Sequence, residues 1–260
     1  MKKYGFTLAE VLITLGIIGV VAALVMPALI ANYQKMALKT QFKKTYNMFL
    51  NAVRLTQTNM GGNINCYYWA TTADRQYGTS SGCAAKCSAT NAYGTCTSWT
   101  CQDDSPLVNN YNGMRDECTA FDNELFFKTL KVAKHCKNNA LANGCVSEKF
   151  QGLDQVAANL DPDTEADPGA AWSVSNIRNK YPAFVLADGT IIIRYSALGG
   201  LPTYVFDING HKGPNKWGYD IFNLQISGNL QDGIQFVTGR TQTADKGGTP
   251  TTKMIQEMHK

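Results

Sequence analysis

The sequence has 260 residues, of which 44% are hydrophobic, 17% charged and 10% aromatic, and its mean hydropathy is -0.21. These averages exclude a polytopic membrane protein, a collagen-like repeat and a mostly disordered chain. The net charge of +4 is unevenly distributed, because residues 1–58 carry seven Lys or Arg and one Glu, whereas the remainder carries 17 basic and 19 acidic residues. Since the remainder has no basic excess, we expect no nucleic acid partner.

The first predicted element is an apolar helix. Residues 11–31 contain no charged side chain, and roughly 20 such residues are enough to cross a bilayer. Lys2 and Lys3 precede this run, whereas four lysines follow it at 35, 39, 43 and 44. By the positive-inside rule, the larger number of lysines after the run favours an orientation with the C-terminal side in the cytoplasm. The cysteine content described below favours the opposite orientation, and we give it more weight.

The residues around the start of the run resemble the signal of type IV prepilins. A short basic leader, MKKYG, ends at Gly5; Phe6 follows it, Glu10 is the fifth residue after the glycine, and Pro27 lies within the apolar run. The resemblance implies cleavage between Gly5 and Phe6 and N-methylation of Phe6. It also implies pairing of Glu10 with the amino terminus of a neighbouring subunit, and a bend or melting of the helix at Pro27. The alternative for Glu10 is a position among lipid headgroups with no role in assembly.

This resemblance implies a structural subunit of a type IV pilus or of a type II secretion pseudopilus. The implied partners are pilin-like subunits in a helical filament, prepilin peptidase, the inner-membrane assembly machinery and, before assembly, the lipid bilayer. The implied location is a single pass through the inner membrane, with the C-terminal domain on the periplasmic or extracellular side and later in the filament. Two alternatives stay open: a minor tip subunit acting as a binding or adhesion module, and a membrane-anchored periplasmic domain that does not polymerise.

The remaining pattern predicts an α+β fold, in which a long N-terminal helix packs on a small, mainly antiparallel sheet with a disulfide-rich loop insertion. An apolar stripe at helical spacing continues the helix through Leu38, Phe42, Tyr46, Phe49 and Val53, from about Thr7 to Asn59. The predicted organisation is a leader at 1–5, a transmembrane assembly helix at 6–31, an amphipathic stem at 32–60, a cysteine-rich loop insertion at 61–146 with a helix near 122–137 capped by Asp122, a C-terminal β-sheet region at 147–238 and a polar tail at 239–260.

All eight cysteines fall within one 80-residue window. An even number at this density is typical of a disulfide framework in an oxidising compartment. Zinc is the alternative, although the spacings lack the usual Cys-x2-Cys knuckle. The sequence leaves the pairing open among Cys66, Cys83, Cys87, Cys96, Cys101, Cys118, Cys136 and Cys145.

The C-terminal half predicts strands and a polar loop. Asp188-Gly189 is a two-residue hairpin signal, and the predicted strands are 183–187, 190–195, 203–208, 221–226 and 234–237. Between the third and fourth lies DINGHKGPNKWGYD, whose oxygen-bearing side chains are Asp207, Asn209, Asn215 and Asp220. Calcium prefers such oxygen ligands, and the loop resembles the calcium loop of some type II secretion pseudopilins. The alternative is a glycine-rich connection with ordinary Asx turns.

The pattern does not favour an enzyme. The three histidines are scattered at 135, 211 and 259, and neither G-x-S-x-G nor H-E-x-x-H occurs, so the common hydrolase motifs are missing. We therefore expect an assembly or binding role.

Overall fold

The computed structural model describes residues 7–61, 85–90, 96–101, 119–164, 170–195, 203–227, 235–237 and 243–258. The predicted α+β class is confirmed: one long helix is followed by antiparallel sheet. Gly5 and Phe6 lie outside the described residues.

The long helix, α1, runs over Leu8–Asn59, as the apolar run and stripe together predict. Its 52 residues correspond to about 78 Å at the helical rise per residue. Thr7 caps its start, and it ends just before Gly61, whose φ of +80° is left-handed. Only the C-terminal half is buried, through Phe42, Tyr46, Phe49, Ala52 and Val53 among others.

The cysteine-rich segment contains a small sheet that the sequence does not predict. Strands β1 (Ala85–Thr90) and β2 (Cys96–Cys101) pair antiparallel. One disulfide of the predicted framework is present, between Cys136 and Cys145. It joins two of the eight cysteines that are only nine residues apart. The other six cysteine side chains lie outside the described part.

The main sheet has six antiparallel strands in the order β3-β4-β5-β6-β7-β8. The five predicted strands are confirmed, and the sixth replaces the second half of the helix predicted near 122–137. That segment is helical only over 119–129 and turns at Leu130. The strands are β3 (Val132–Cys136), β4 (Ala183–Leu186), β5 (Ile191–Arg194), β6 (Thr203–Asp207), β7 (Ile221–Ser227) and β8 (Gln235–Val237).

Both faces of this sheet are buried, which explains why the central strands are almost uniformly apolar. One face packs against α1 through Phe184, Ile192, Tyr204, Phe206, Phe222 and Leu224. Alternate residues of the same strands, Ala183, Ile191, Ile193, Val205 and Ile221, pack on the other side with Phe150, Trp172, Ile177, Tyr181 and Trp217. The period of two in a strand thus divides one set of residues between two cores.

The C-terminal segment is not the polar tail predicted over 239–260. Residues 243–249 include the buried Thr243, Ala244 and Asp245, and the C-terminal helix, Thr251–Met258, follows. Met254 and Met258 of this helix join the core between α1 and the sheet. This segment folds because its helix has one apolar side, which α1 and the sheet cover.

Candidate functional site

The start of α1 is closed by a reciprocal capping box. The Thr7 backbone N–H and the Thr7 hydroxyl donate to Glu10 Oε2 at 2.8 and 2.9 Å. In return, the Glu10 N–H donates to Thr7 Oγ1 at 3.3 Å. Two N–H groups of the helix start are thereby satisfied, and the carboxylate sits at the positive end of the helix dipole. Glu10 therefore has partners within its own chain.

The apolar run fixes how deep this capping box would lie in a bilayer. The 21 uncharged residues 11–31 span about 31 Å, close to the roughly 30 Å of the hydrocarbon layer. Placing the run in that layer puts Thr7 and Glu10 at its boundary. The N–H groups of the first turn that the capping box leaves free can then hydrogen-bond to headgroups or water. Hydrocarbon offers them no acceptor.

The N-terminal half of α1 has no cover within the described part of the chain. Its most apolar 18-residue window has a mean hydropathy of 2.6 and is 0% buried. Among the described residues, α1 alone is long and apolar enough to cross a membrane by these two criteria. Leu8, Leu15 and Leu24 are 80%, 60% and 75% exposed. An apolar surface of this extent requires lipid or other protein surfaces around it.

Pro27 lies inside α1, and the helix continues through it. Proline has no backbone N–H, so the carbonyl four residues earlier, at Ala23, loses its usual helical donor. The role that the resemblance implies for Pro27 stays a prediction.

At the junction between its two halves, α1 is held by the C-terminal helix. Lys39 Nζ lies 2.9 Å from Glu257 Oε2, and Lys43 Nζ donates to the Met258 carbonyl at 3.4 Å. Lys39 lowers the pKa of Glu257 through this hydrogen bond. We call the packed part of the molecule the head: it comprises α1 from about Lys39 onward, the sheets and the C-terminal helix.

The predicted polar loop brings two buried carboxylates together. Asp207 and Asp220 are both 0% exposed. The two oxygens of Asp220 accept the N–H groups of Asn215 and Lys216, each at 2.7 Å. Burial raises the pKa of Asp207, and the charge of Asp220 raises it further; burial also raises the pKa of Asp220, while the N–H donors at 215 and 216 lower it.

The other contacts of the loop show how many oxygen atoms are available to bind calcium. Asn209 Nδ2 donates to the Gly213 carbonyl at 2.7 Å, while Asn209 Oδ1 is buried without a hydrogen-bond partner. Gly210 has a φ of +63°, and a Cβ there would lie 2.2 Å from the Gly189 carbonyl oxygen. Two carboxylates and the amide oxygens of Asn209 and Asn215 are fewer than the six to eight oxygens that calcium prefers. Among the described residues, no group of three or more His, Cys, Asp or Glu side chains is placed to hold a metal ion. Calcium binding stays a prediction.

A second charged pair joins the 119–129 segment to the sheet. Asp122 does not cap a helix there, since it makes no side-chain capping bond; instead its carboxylate pairs with Arg194 Nε of β5. Burial raises the pKa of Asp122 to about 6, and the Arg194 charge offsets only part of that rise. The sequence gives no signal for this pair, because its members are distant along the chain.

Comparison with known proteins identifies the N-terminus. Residues 1–26 match the family described as the prokaryotic N-terminal methylation motif. The chain has a prepilin-type N-terminus. No curated protein and no solved structure matches the chain.

A prepilin-type N-terminus followed by a long apolar helix indicates membrane anchoring and a processed, pilin-like structural subunit. Other pilin-type subunits and prepilin peptidase are its partners in general terms. Sequence reasoning found Glu10 but missed Thr7, although T-x-x-E before an apolar run is itself a capping signal.

Proposed function

We propose that this protein is a structural subunit of a type IV pilus or type II secretion pseudopilus, which polymerises through the N-terminal half of α1. The observation that carries the proposal is the prepilin-type motif at residues 1–26, followed by a helix whose apolar window is 0% buried. Neighbouring helices would cover this surface once the subunit leaves the bilayer. Cleavage between Gly5 and Phe6 would free the amino group that pairs with Glu10 of a neighbour.

The two partners of Glu10 can replace each other. In the unassembled chain, Thr7 supplies two donors to the carboxylate. The bonds from Thr7 to the carboxylate are already charge-assisted, but a neighbour's ammonium at Phe6 would add a full positive charge and so a Coulomb attraction between ions. The capping box would thus hold Glu10 until a subunit docks.

The C-terminal head would lie on the periplasmic or extracellular side of the inner membrane. The Cys136–Cys145 disulfide supports this orientation, because disulfides persist mainly in oxidising compartments. We give this more weight than the lysines that follow the apolar run.

Mass spectrometry and filament shearing test the proposal together. In the native host, the mature chain should begin with N-methylated Phe6. Glu10→Ala should still be cleaved and inserted into the membrane, but it should be missing from the sheared filament fraction. Thr14→Ala is the matched control: its hydroxyl also lies in the exposed apolar half, bonded only to helix carbonyls, and the variant should assemble normally.

Two results would contradict this function. A mature chain beginning at Met1 or Leu8 would refute processing after Gly5. Normal filament entry of Glu10→Ala would instead favour a membrane-anchored domain that does not polymerise.

We also propose that the 207–220 loop binds calcium, an addition independent of polymerisation. Its support is the pair of buried carboxylates and the unpartnered oxygen of Asn209. Calcium should raise the melting temperature of the wild-type protein relative to EDTA, whereas Asp207→Asn should lose that response. Equal melting temperatures in calcium and EDTA would leave Asx turns as the complete account of the loop.

A further inference from the structure

The four lysines that follow the apolar run have different surroundings. Three of them, Lys39, Lys43 and Lys44, bind oxygen atoms of the head at 2.9, 3.4 and 2.9 Å. Lys35 is exposed, and within the described part of the chain it makes neither an ion pair nor a hydrogen bond. Three of these cations thus help to attach α1 to the head, whereas packing of the head does not explain Lys35.

Lys35 lies just outside the apolar run. At the helical rise per residue, its Cα is about 6 Å beyond Ala31, the last residue of the run. The headgroup layer on each side of a bilayer is about 5–7 Å thick, so Lys35 falls within that layer when the run fills the hydrocarbon. Because helical side chains tilt toward the helix N-terminus, the side chain of Lys35 is directed toward the bilayer.

Lys35 also lies on the side of α1 that faces the head. It is seven residues before Phe42, which is buried against the sheet, and a spacing of seven residues places two side chains on the same side of a helix. Lys39, four residues further on, shares that side. Lys35 is therefore in the space between the head and the bilayer surface.

The nearest carboxylates of the head are already matched by other lysines. A hydrogen bond from Lys39 lowers the pKa of Glu257, and the charges of Lys39, Lys253 and Lys35 lower it further. Three lysines thus lie around this one carboxylate, which pairs with Lys39 at 2.9 Å. Lys253 also faces Asp161, whose pKa its charge helps to lower. Of the three, Lys35 is the cation that has no carboxylate of its own among the described residues.

We propose that Lys35 binds the phosphate of an anionic phospholipid in the leaflet next to the head. Asn32 is exposed and lies three residues earlier on the same side of the helix, so its amide would donate to the same headgroup. Tyr33 is 73% exposed and lies at the same depth on the opposite side, where tyrosine rings are typically found among headgroups. The proposal depends on membrane anchoring and not on polymerisation.

Native mass spectrometry of the full-length protein in non-ionic detergent tests the proposal, with equal amounts of phosphatidylglycerol and phosphatidylcholine added. Every chain carries Lys2→Gln and Lys3→Gln, which remove the two cations on the other side of the apolar run. The measured quantity is the ratio of the two lipids, phosphatidylglycerol to phosphatidylcholine, in the complex that retains one lipid. One lysine near an anionic headgroup is worth about fivefold in affinity. Lys35→Gln should therefore lower the ratio about fivefold, and Lys35→Arg should keep it.

Two further variants separate this contact from a general effect of charge. Arg54→Gln is the matched control, because Arg54 is exposed on the same helix and lies about 28 Å further from the bilayer. Its loss changes the net charge equally, yet the ratio should stay within about twofold of the parent chain, since salt screens charges at that distance. Glu257→Gln removes the carboxylate that pairs with Lys39, so the ratio should rise.

Several outcomes would overturn the proposal. Equal binding of the two lipids by the parent chain would refute it, as would an unchanged ratio in Lys35→Gln or an equal fall in Arg54→Gln. A lower ratio in Glu257→Gln would also contradict it, because loss of a carboxylate cannot weaken the attraction of an anion. If the two lipids bind equally and Lys35→Gln is missing from sheared filaments, Lys35 contacts a neighbouring subunit instead.

Discussion

The two halves of α1 have the same backbone structure and opposite surroundings. From Leu8 to Ala31 the side chains are almost all exposed, whereas from Phe42 to Gln57 one side is buried against the sheet. The sequence distinguishes the halves by pattern: the first is apolar all round, and the second carries a stripe. A stripe predicts a partner on one side, which this chain supplies itself, while an all-round apolar surface predicts surroundings that come from elsewhere. The stability of the head is therefore separable from whatever surrounds the apolar half of α1.

The largest expected effect is a contrast between one substitution in each half. Phe49 is 0% exposed and packs edge-on against Tyr204 and Phe206 at 5.1 and 4.7 Å. Phe49→Ala should lower the free energy of unfolding of the head by about 3–5 kcal/mol. Leu15→Ala, in the exposed half, should change it by less than about 0.5 kcal/mol. Denaturant titration in detergent measures both, and similar losses would show that the halves are not independent.

Removal of the disulfide should also affect the head alone. Cys136 and Cys145 are nine residues apart and buried. Replacing both with Ala should lower the free energy of unfolding of the head by about 2–3 kcal/mol, because the unfolded chain gains conformational entropy and the core loses packing. Membrane retention, measured by carbonate extraction, should not change. Loss of retention would mean that the head helps to hold α1 in the bilayer.

The pH dependence of head stability should depend in part on Asp122. A folded-state pKa of about 6 lies above the ordinary 3.8, so the charged form is disfavoured in the fold. Stability from this residue is full below the unfolded pKa and falls as pH rises through about 4 to 6. Between about pH 4.5 and 7 the loss should be about 2 kcal/mol. Asp122→Asn should reduce this loss, as measured by denaturation at both pH values; an unchanged profile would show that Asp122 titrates normally.

The smallest effect is expected at the junction of the two halves. The Lys39–Glu257 pair is partly exposed, at 43% and 33% of the side chains, so Lys39→Ala should cost no more than about 0.5 kcal/mol. Met254→Ala, in the buried side of the same C-terminal helix, is the comparison and should cost about 2 kcal/mol or more. Equal effects in thermal melts would contradict an attachment based mainly on apolar packing.

Much of the fold follows from local pattern, and the misses have physical causes. The helix and five strands could be predicted because their apolar periodicity is strong over many residues. Strand β3 could not, since VAKHC has helix-compatible residues and becomes a strand only by pairing with β4. The C-terminal helix did carry a signal, because Met254, Ile255 and Met258 recur at helical spacing, but the polar composition around them hid it.

The candidate site also has a part that local sequence predicts and a part that only the folded structure shows. Gly5, Phe6 and Glu10 are a local motif, so the sequence alone was enough to find them. The Asp122–Arg194 pair arises from tertiary packing, which brings together two residues that are far apart in sequence.

The docking of the C-terminal helix has a practical consequence for labelling. Met258, the last residue of that helix, lies beside Lys43, on the side of the head where the uncovered half of α1 emerges. A reporter protein joined just after this helix would start there, in the space that neighbouring helices would need. Such a fusion should leave the head folded and still interfere with packing between subunits, so small labels on exposed side chains such as Lys212 are the better choice for imaging.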